Sequence, residues 1–210
     1  IGLLLQIVVI IYTCLNPEGM TDSQIFWTSV SGLTGIVSVV LCAQKKISFY
    51  IFGFIQLFTY VFAVAIPERL WAEVGENIFY FVTMIIGMII WWKNYTTNKN
   101  DGIEVTAKQL NRFGNEIVYS VLNVSTVIVG AILTKTNDPV PFYDSITTTA
   151  PFIAQILLMF GYRDQWIFWF IEDIFSLVMF IILGNWIMVA QYLFWTINTV
   201  YGWFKWRIRN

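Results

Sequence analysis

A succession of apolar runs constrains this chain more than any other feature. Bounded by charges, Pro or Gly, seven of them lie at about 25–43, 48–66, 70–92, 117–133, 143–160, 166–183 and 186–206. Each is close to the roughly twenty residues that a helix needs to cross the hydrocarbon core of a bilayer. Charged residues supply only 12% of the chain and hydrophobic ones 58%, whereas a soluble domain carries about a quarter charge. The expectation is an all-α polytopic membrane protein with the lipid bilayer as its solvent. An eighth run, residues 1–15, is short for a span and is expected as a preceding N-terminal helix. A signal peptide is the competing reading, but no basic n-region or small-residue cleavage site is visible.

Basic residues collect on one side of the expected spans. Lys45, Lys46, Lys93, Lys99, Lys108, Arg112, Arg163, Lys205, Arg207 and Arg209 fall together, and only Arg69 and Lys135 oppose them. Positive charge stays cytoplasmic, so the seven-helix core runs N-out with its C-terminus inside. The longest loop, 93–116, carries both signs and an Asn100–Gly102 turn signal, and reads as a solvated connector. A net charge of −1 suggests no nucleic-acid partner. Histidine is absent, and Cys14 and Cys42 lack metal or redox spacing. Zinc chemistry and histidine catalysis are unsupported, and no cofactor is expected. A membrane enzyme would need a nucleophile or metal constellation that the intramembrane acids do not have.

Self-comparison reveals a repeat. An offset of 116 lays Ile51-Phe-Gly-Phe-Ile-Gln56 over Ile167-Phe-Trp-Phe-Ile-Glu172, and an offset of 115 lays Phe79-Tyr80 over Phe194-Trp195, Gly87 over Gly202 and Trp91 over Trp206. The one-residue change is expected in a loop between helices. Three spans then repeat as three, giving a 3+1+3 plan of two parallel three-helix bundles around a linker helix. The corresponding segments are an N-terminal helix and connector (1–24), a first bundle (25–92), a cytoplasmic loop and linker helix (93–142), and a second bundle with a basic C-terminus (143–210). Repeats of this kind place a substrate site between the halves.

Polar residues at membrane depth are the candidates for that site. Glu172 and Asp173 fall near the middle of the sixth span, where a charge is costly unless it is paired or faces water. Trp169, Asp173 and Ser176 form one helical stripe. Glu172 points about 100° away, so one acid can face a cavity and the other a neighbouring helix. Interhelical hydrogen bonding is the alternative for either. In the last span Gln191, Trp195, Asn198 and Gly202 share a stripe, and the aligned span carries Asn77, Tyr80 and Gly87, with Glu73 and Glu76 nearer the outer end. Amides and hydroxyls suit a hydroxyl-rich ligand, and Gln56 and Thr148 add to the set. Gly87 and Gly202 read as close-packing positions. Trp91, Trp92, Trp203 and Trp206 read as interfacial anchors. Thr147 to Thr149 can bond back to their own helix, and Pro151 is a hinge candidate.

The segment Trp166-Ile-Phe-Trp169 with Asp173, the stripe Asn77-x-x-Tyr80 leading to Gly87 and Trp91, and the closing Trp195-x-x-Asn198-x-x-Tyr201-Gly202 resemble the PnuC family of nicotinamide riboside transporters. The resemblance covers roughly residues 25–206. It implies a bacterial inner-membrane vitamin transporter with a SWEET-like fold, homotrimeric assembly, and facilitated diffusion drawn inward by cytosolic phosphorylation of the substrate. Relatives in the family carry thiamine or other vitamin precursors. Nicotinamide riboside and thiamine are both cationic and suit a carboxylate beside aromatic faces, and the ribose and carboxamide of the former would use the amides. A proton-coupled transporter, with Glu172 or Asp173 as relay, is the alternative mechanism.

Overall fold

The computed structural model describes residues 2–16, 21–67, 69, 71–97, 106–136, 141–182 and 186–207. They form eight helices: α1 (Gly2–Leu15), α2 (Asp22–Ala43), α3 (Phe49–Tyr60), α4 (Trp71–Thr97), α5 (Arg112–Leu133), α6 (Pro141–Met159), α7 (Gln165–Ile182) and α8 (Trp186–Lys205). A π-helical turn, Val61–Ala65, continues α3. Every expected span therefore has its helix. By length and composition, Asp22–Ala43, Glu73–Asn94, Arg112–Leu133 and Gln165–Ile182 can cross a membrane. The stretch Phe49–Ala65 is apolar but shorter, while α6 and α8 are diluted by Thr, Gln, Asn and Asp side chains. Lys99, Asn100–Gly102 and Arg209 lie outside the described residues.

The chain forms two compact units, residues 1–105 and 106–210. In the first, α2 packs on α3, α1 docks on α2, and α4 meets α3 and its π turn. In the second, α7 packs against both α6 and α8, and α5 packs on α6. Phe168 lies on an apolar cluster of Leu122, Ala150, Ile153, Ala154 and Leu157 that joins α5, α6 and α7.

The two units share one turn, bond for bond. After α2, Lys45 N–H donates to Cys42 O at 2.9 Å and Lys46 N–H to Leu41 O at 3.0 Å; after α6, Gly161 N–H donates to Leu158 O at 2.9 Å and Tyr162 N–H to Leu157 O at 2.9 Å. Donors Gln44, Phe49, Tyr50 and Ile51 likewise match Phe160, Gln165, Trp166 and Ile167 at the same offset of 116. The left-handed residue that closes such a helix end is Lys45 (φ 60°) in one and Gly161 (φ 75°) in the other. Glycine adopts that conformation freely, whereas a side chain there costs about 1 kcal/mol.

An aromatic pair sits above each turn. Tyr50 meets Trp91 edge to face at 5.5 Å, and Trp166 meets Trp206 edge to face at 5.8 Å. Trp91 and Trp206 are fully buried, which corrects their reading as interfacial anchors. Each is a packing element on the aligned aromatic of the preceding helix. Trp92, 60% exposed, keeps the exposure of an anchor.

The change of offset also has a structural origin. The π turn is closed by Ile66 N–H donating to Val61 O at 2.9 Å, a five-residue step. Such a turn holds one residue more than an α-helical one. Before it the units align at 116; after it, in α4 and α8, Phe79-Tyr80 and Phe194-Trp195 align at 115. The π turn therefore accommodates one extra residue inside a helix, whereas the sequence reading expected the change in a loop.

Part of the long loop is also more than a solvated connector. Lys108 N–H donates to Gly161 O at 2.8 Å, and Arg163 N–H donates to Lys108 O at 2.7 Å. Leu110 N–H donates to the buried Asp164 carboxylate at 2.8 Å. Asn111 then caps α5 through Gly114 N–H at 2.7 Å. Residues 106–111 thus clasp the α6–α7 turn.

Deleting Ala63 should convert the π turn to regular α-helix and leave both flanks in register. Such a protein should accumulate in membranes at a level close to the parent, measured by immunoblot of the membrane fraction. Deleting Met179, which aligns with Ala63 at the offset of 116, from the regular α7 should abolish accumulation.

Candidate functional site

In the second unit the acids of α7 are drawn together with hydroxyls of α7 and α8. Thr199 Oγ1 donates to Asp173 Oδ2 at 2.6 Å, and Ser176 Oγ donates to Glu172 Oε1 at 2.9 Å. Asp173 is 3% exposed, Ser176 2% and Glu172 8%. The Glu172 and Asp173 carboxyl groups lie close enough to act on each other electrostatically. The hydroxyl of Tyr192 reaches Ser176 and Glu172. The 100° between neighbouring helix positions therefore does not part the two acids.

Trp169 turns its ring to the apolar cluster of α5, α6 and α7. Trp195 packs edge to face on Tyr192 at 5.0 Å, and its buried Nε1–H has no hydrogen-bond partner among the described residues. Gln191 is half-buried, and Asn198 is buried on the same helix.

The first unit gathers its acids on α4. Tyr60 Oη donates to Glu73, Tyr80 Oη donates to Glu76 Oε1 at 2.6 Å, and Asn77 Nδ2 donates to Glu73 O at 2.8 Å. Gln56 is half-buried, with its side chain laid over Gly35. Thr148 is exposed and bonds back to Asp144 O at 2.7 Å; Thr149 bonds to Ser145 O at 2.8 Å and meets Thr126 of α5 at 2.9 Å. Pro151 is buried inside α6, and the helix runs through it to Met159.

The aligned units exchange glutamate for glutamine twice. At an offset of 116 Gln56 lies over Glu172, and at 115 Glu76 lies over Gln191. Each unit thus keeps one acid and one amide at the paired positions, with the charge moved from the third helix of one set to the second of the other. Sequence reasoning passed over Tyr60, Tyr192 and Thr199. The repeat carried a signal for the first, because Tyr60 aligns with Ser176, but Tyr192 and Thr199 each stand one position off the polar stripe of α8 and gave none.

Gly202 holds α8 against α7 beside this group. A Cβ there would fall 2.6 Å from the Trp166 ring, so the close-packing expectation is met.

Apolar helices that bury acids, amides and hydroxyls at membrane depth define a multi-pass membrane protein with the equipment of a solute carrier. A family model described as nicotinamide mononucleotide transporter matches residues 25–208, and the chain belongs to that family. It is a transporter family, and the protein is not an enzyme. Among curated relatives, the nicotinamide riboside transporter PnuC of Haemophilus influenzae is 32% identical over 179 residues, covering 84% of this chain and 77% of that one. The protein of the same name from Escherichia coli strain K12 is 24% identical over 209 residues, covering 89% of this chain and 87% of its own length. A solved structure described as the vitamin B3 transporter PnuC matches with a TM-score of 0.73 at 28% identity, over 98% of this chain and 86% of that one.

Two glycine substitutions should separate packing from propensity. Gly202→Ala should cost about 1–3 kcal/mol, because the indole it meets is rigid, and should lower the melting temperature of the purified protein. Gly75→Ala in α4, which meets nothing within 4 Å, should leave that temperature unchanged or raise it.

Proposed function

We propose that this protein carries nicotinamide riboside across the bacterial inner membrane by facilitated diffusion, with its C-terminus in the cytoplasm. The observation that carries the reading is Asp173. It is almost wholly buried, and the polar groups upon it are the Thr199 hydroxyl and a second acid, Glu172. A permeant cation would supply the counter-charge that these neighbours do not. Nicotinamide riboside brings a pyridinium charge, suited to a carboxylate and aromatic faces. Its carboxamide and ribose would use Trp195 Nε1–H and the amides Gln191 and Asn198. The relatives, named as nicotinamide riboside transporters, support the same substrate.

The wider substrate set is Gln56, Asn77, Tyr80, Thr148, Trp169, Glu172, Asp173, Ser176, Gln191, Trp195 and Asn198, with Pro151 as hinge. The repeat supports a 3+1+3 plan, in which α2–α4 and α6–α8 are the two triplets and α5 the linker. Alternating access would then follow from the two triplets exchanging the exposure of the site to either side, in a homotrimer. A proton-coupled cycle is the second reading, favoured by the contact between Glu172 and Asp173.

Calorimetric titration of the purified protein with nicotinamide riboside and with thiamine tests the substrate. The riboside should bind, and Asp173→Asn should weaken it about tenfold to a hundredfold through loss of a charged partner. Heat from thiamine alone would reassign the substrate. Riboside affinity equal in parent and variant would remove Asp173 from the site.

A further inference from the structure

Outside the acid cluster, the second unit carries a groove of about 240 Å³ between α7 and α8, lined by Trp166, Ile167, Phe170, Thr199, Val200 and Trp203. Its one hydroxyl, that of Thr199, is already donated to Asp173. Such a lining suits hydrocarbon and offers little to a polar solute. Phe170 and Val200 are each 40% exposed, so the groove opens at the protein's surface, where lipid chains lie.

One end of the groove is polar and positive. Trp203 carries the Arg163 guanidinium on its ring face at 3.6 Å, and Arg163 Nε–H donates to Trp203 O at 3.0 Å. That bond uses one of the five guanidinium donors. Arg207 follows the end of α8 and acts on Arg163 as a like charge; burial first and Arg207 last lower the Arg163 pKa, while Asp164 opposes them. Arg163 on Trp203 at the rim of the groove, with Arg207 near enough to act on it as a like charge, forms a site that an anion stabilises. Trp166 adds an independent sign. Its ring lines the groove, it is 4% exposed, and its buried Nε1–H lacks a partner. An orphaned donor at this depth calls for an acceptor, and a phospholipid presents ester carbonyls between its phosphate and its chains.

We propose that the α7–α8 groove binds an anionic phospholipid, with one acyl chain along Phe170, Val200 and Trp203, an ester carbonyl at Trp166 Nε1–H, and the phosphate on Arg163 and Arg207. Basic pockets between membrane helices hold anionic headgroups in this manner.

Native mass spectrometry of the delipidated full-length protein tests the site, using phosphatidylglycerol and phosphatidylcholine with identical chains. Two arginines near the headgroup should favour the glycerol lipid by about thirtyfold, and Arg207→Gln should reduce that preference to about fivefold. Val200→Trp, which fills the groove, should weaken both lipids. Equal binding of the two lipids to the parent protein would overturn the proposal. So would a preference of undiminished size in Arg207→Gln, or competition by glycerol phosphate as strong as that of the intact lipid, which would mark a free-phosphate site. The parent protein and Arg207→Gln decide the matter even where Val200→Trp does not accumulate.

Discussion

A hydrogen-bonding group at bilayer depth has no water to turn to, and leaving it unpaired costs several kcal/mol. The described residues answer that constraint in three ways. Hydroxyls bond back to carbonyls a turn earlier, as Thr34, Thr83, Thr148 and Thr196 do. Helix ends close on themselves through the shared turn at Lys45 and Gly161. Where an acid is present, hydroxyls from the same or the neighbouring helix are brought to it, as Thr199 and Ser176 are in the second unit and Tyr60 and Tyr80 in the first. The residue groups proposed for the substrate combine such a buried acid pair with the indole N–H of Trp195, which has no acceptor among the described residues.

Two copies of one scaffold have been given different chemistry. The turn and the aromatic pair above it repeat at fixed offsets, so the frame is common to both units. The chemistry departs from it at a few positions. Glutamate and glutamine trade places at the two aligned sites, and among the described residues the π turn falls in the first unit. A clasp of residues 106–111 on the α6–α7 turn belongs to the second unit. The exchange leaves each unit one acid and one amide at the aligned positions but on different helices of its set.

Much of this was legible in the chain. Span positions followed from apolar runs, because a bilayer leaves helices little freedom in length. The repeat was visible as two offsets differing by one, and the burial of Glu172, Asp173, Ser176 and Asn198 followed from their neighbours. What the sequence hid was short-range geometry. A π turn in Val61–Ala65 has no compositional mark, since the same apolar residues serve an α-helix. The burial of Trp91 and Trp206 was masked by their place at span ends, where tryptophan normally anchors at an interface. Hydrogen bonds from residues 106–111 to the α6–α7 turn join segments some fifty positions apart, as Leu110 and Asp164 are, and no periodicity announces them.

The central claim is that the chain itself conducts a cationic nicotinamide nucleoside without an external energy source. The most direct measurement is uptake of radiolabelled nicotinamide riboside by proteoliposomes of the purified protein, with no ion or pH gradient across the membrane. Saturable equilibration, accelerated by unlabelled riboside trapped inside, is the predicted result. Uptake no faster than that of protein-free liposomes, or uptake that appears only when a proton gradient is imposed, would contradict the account.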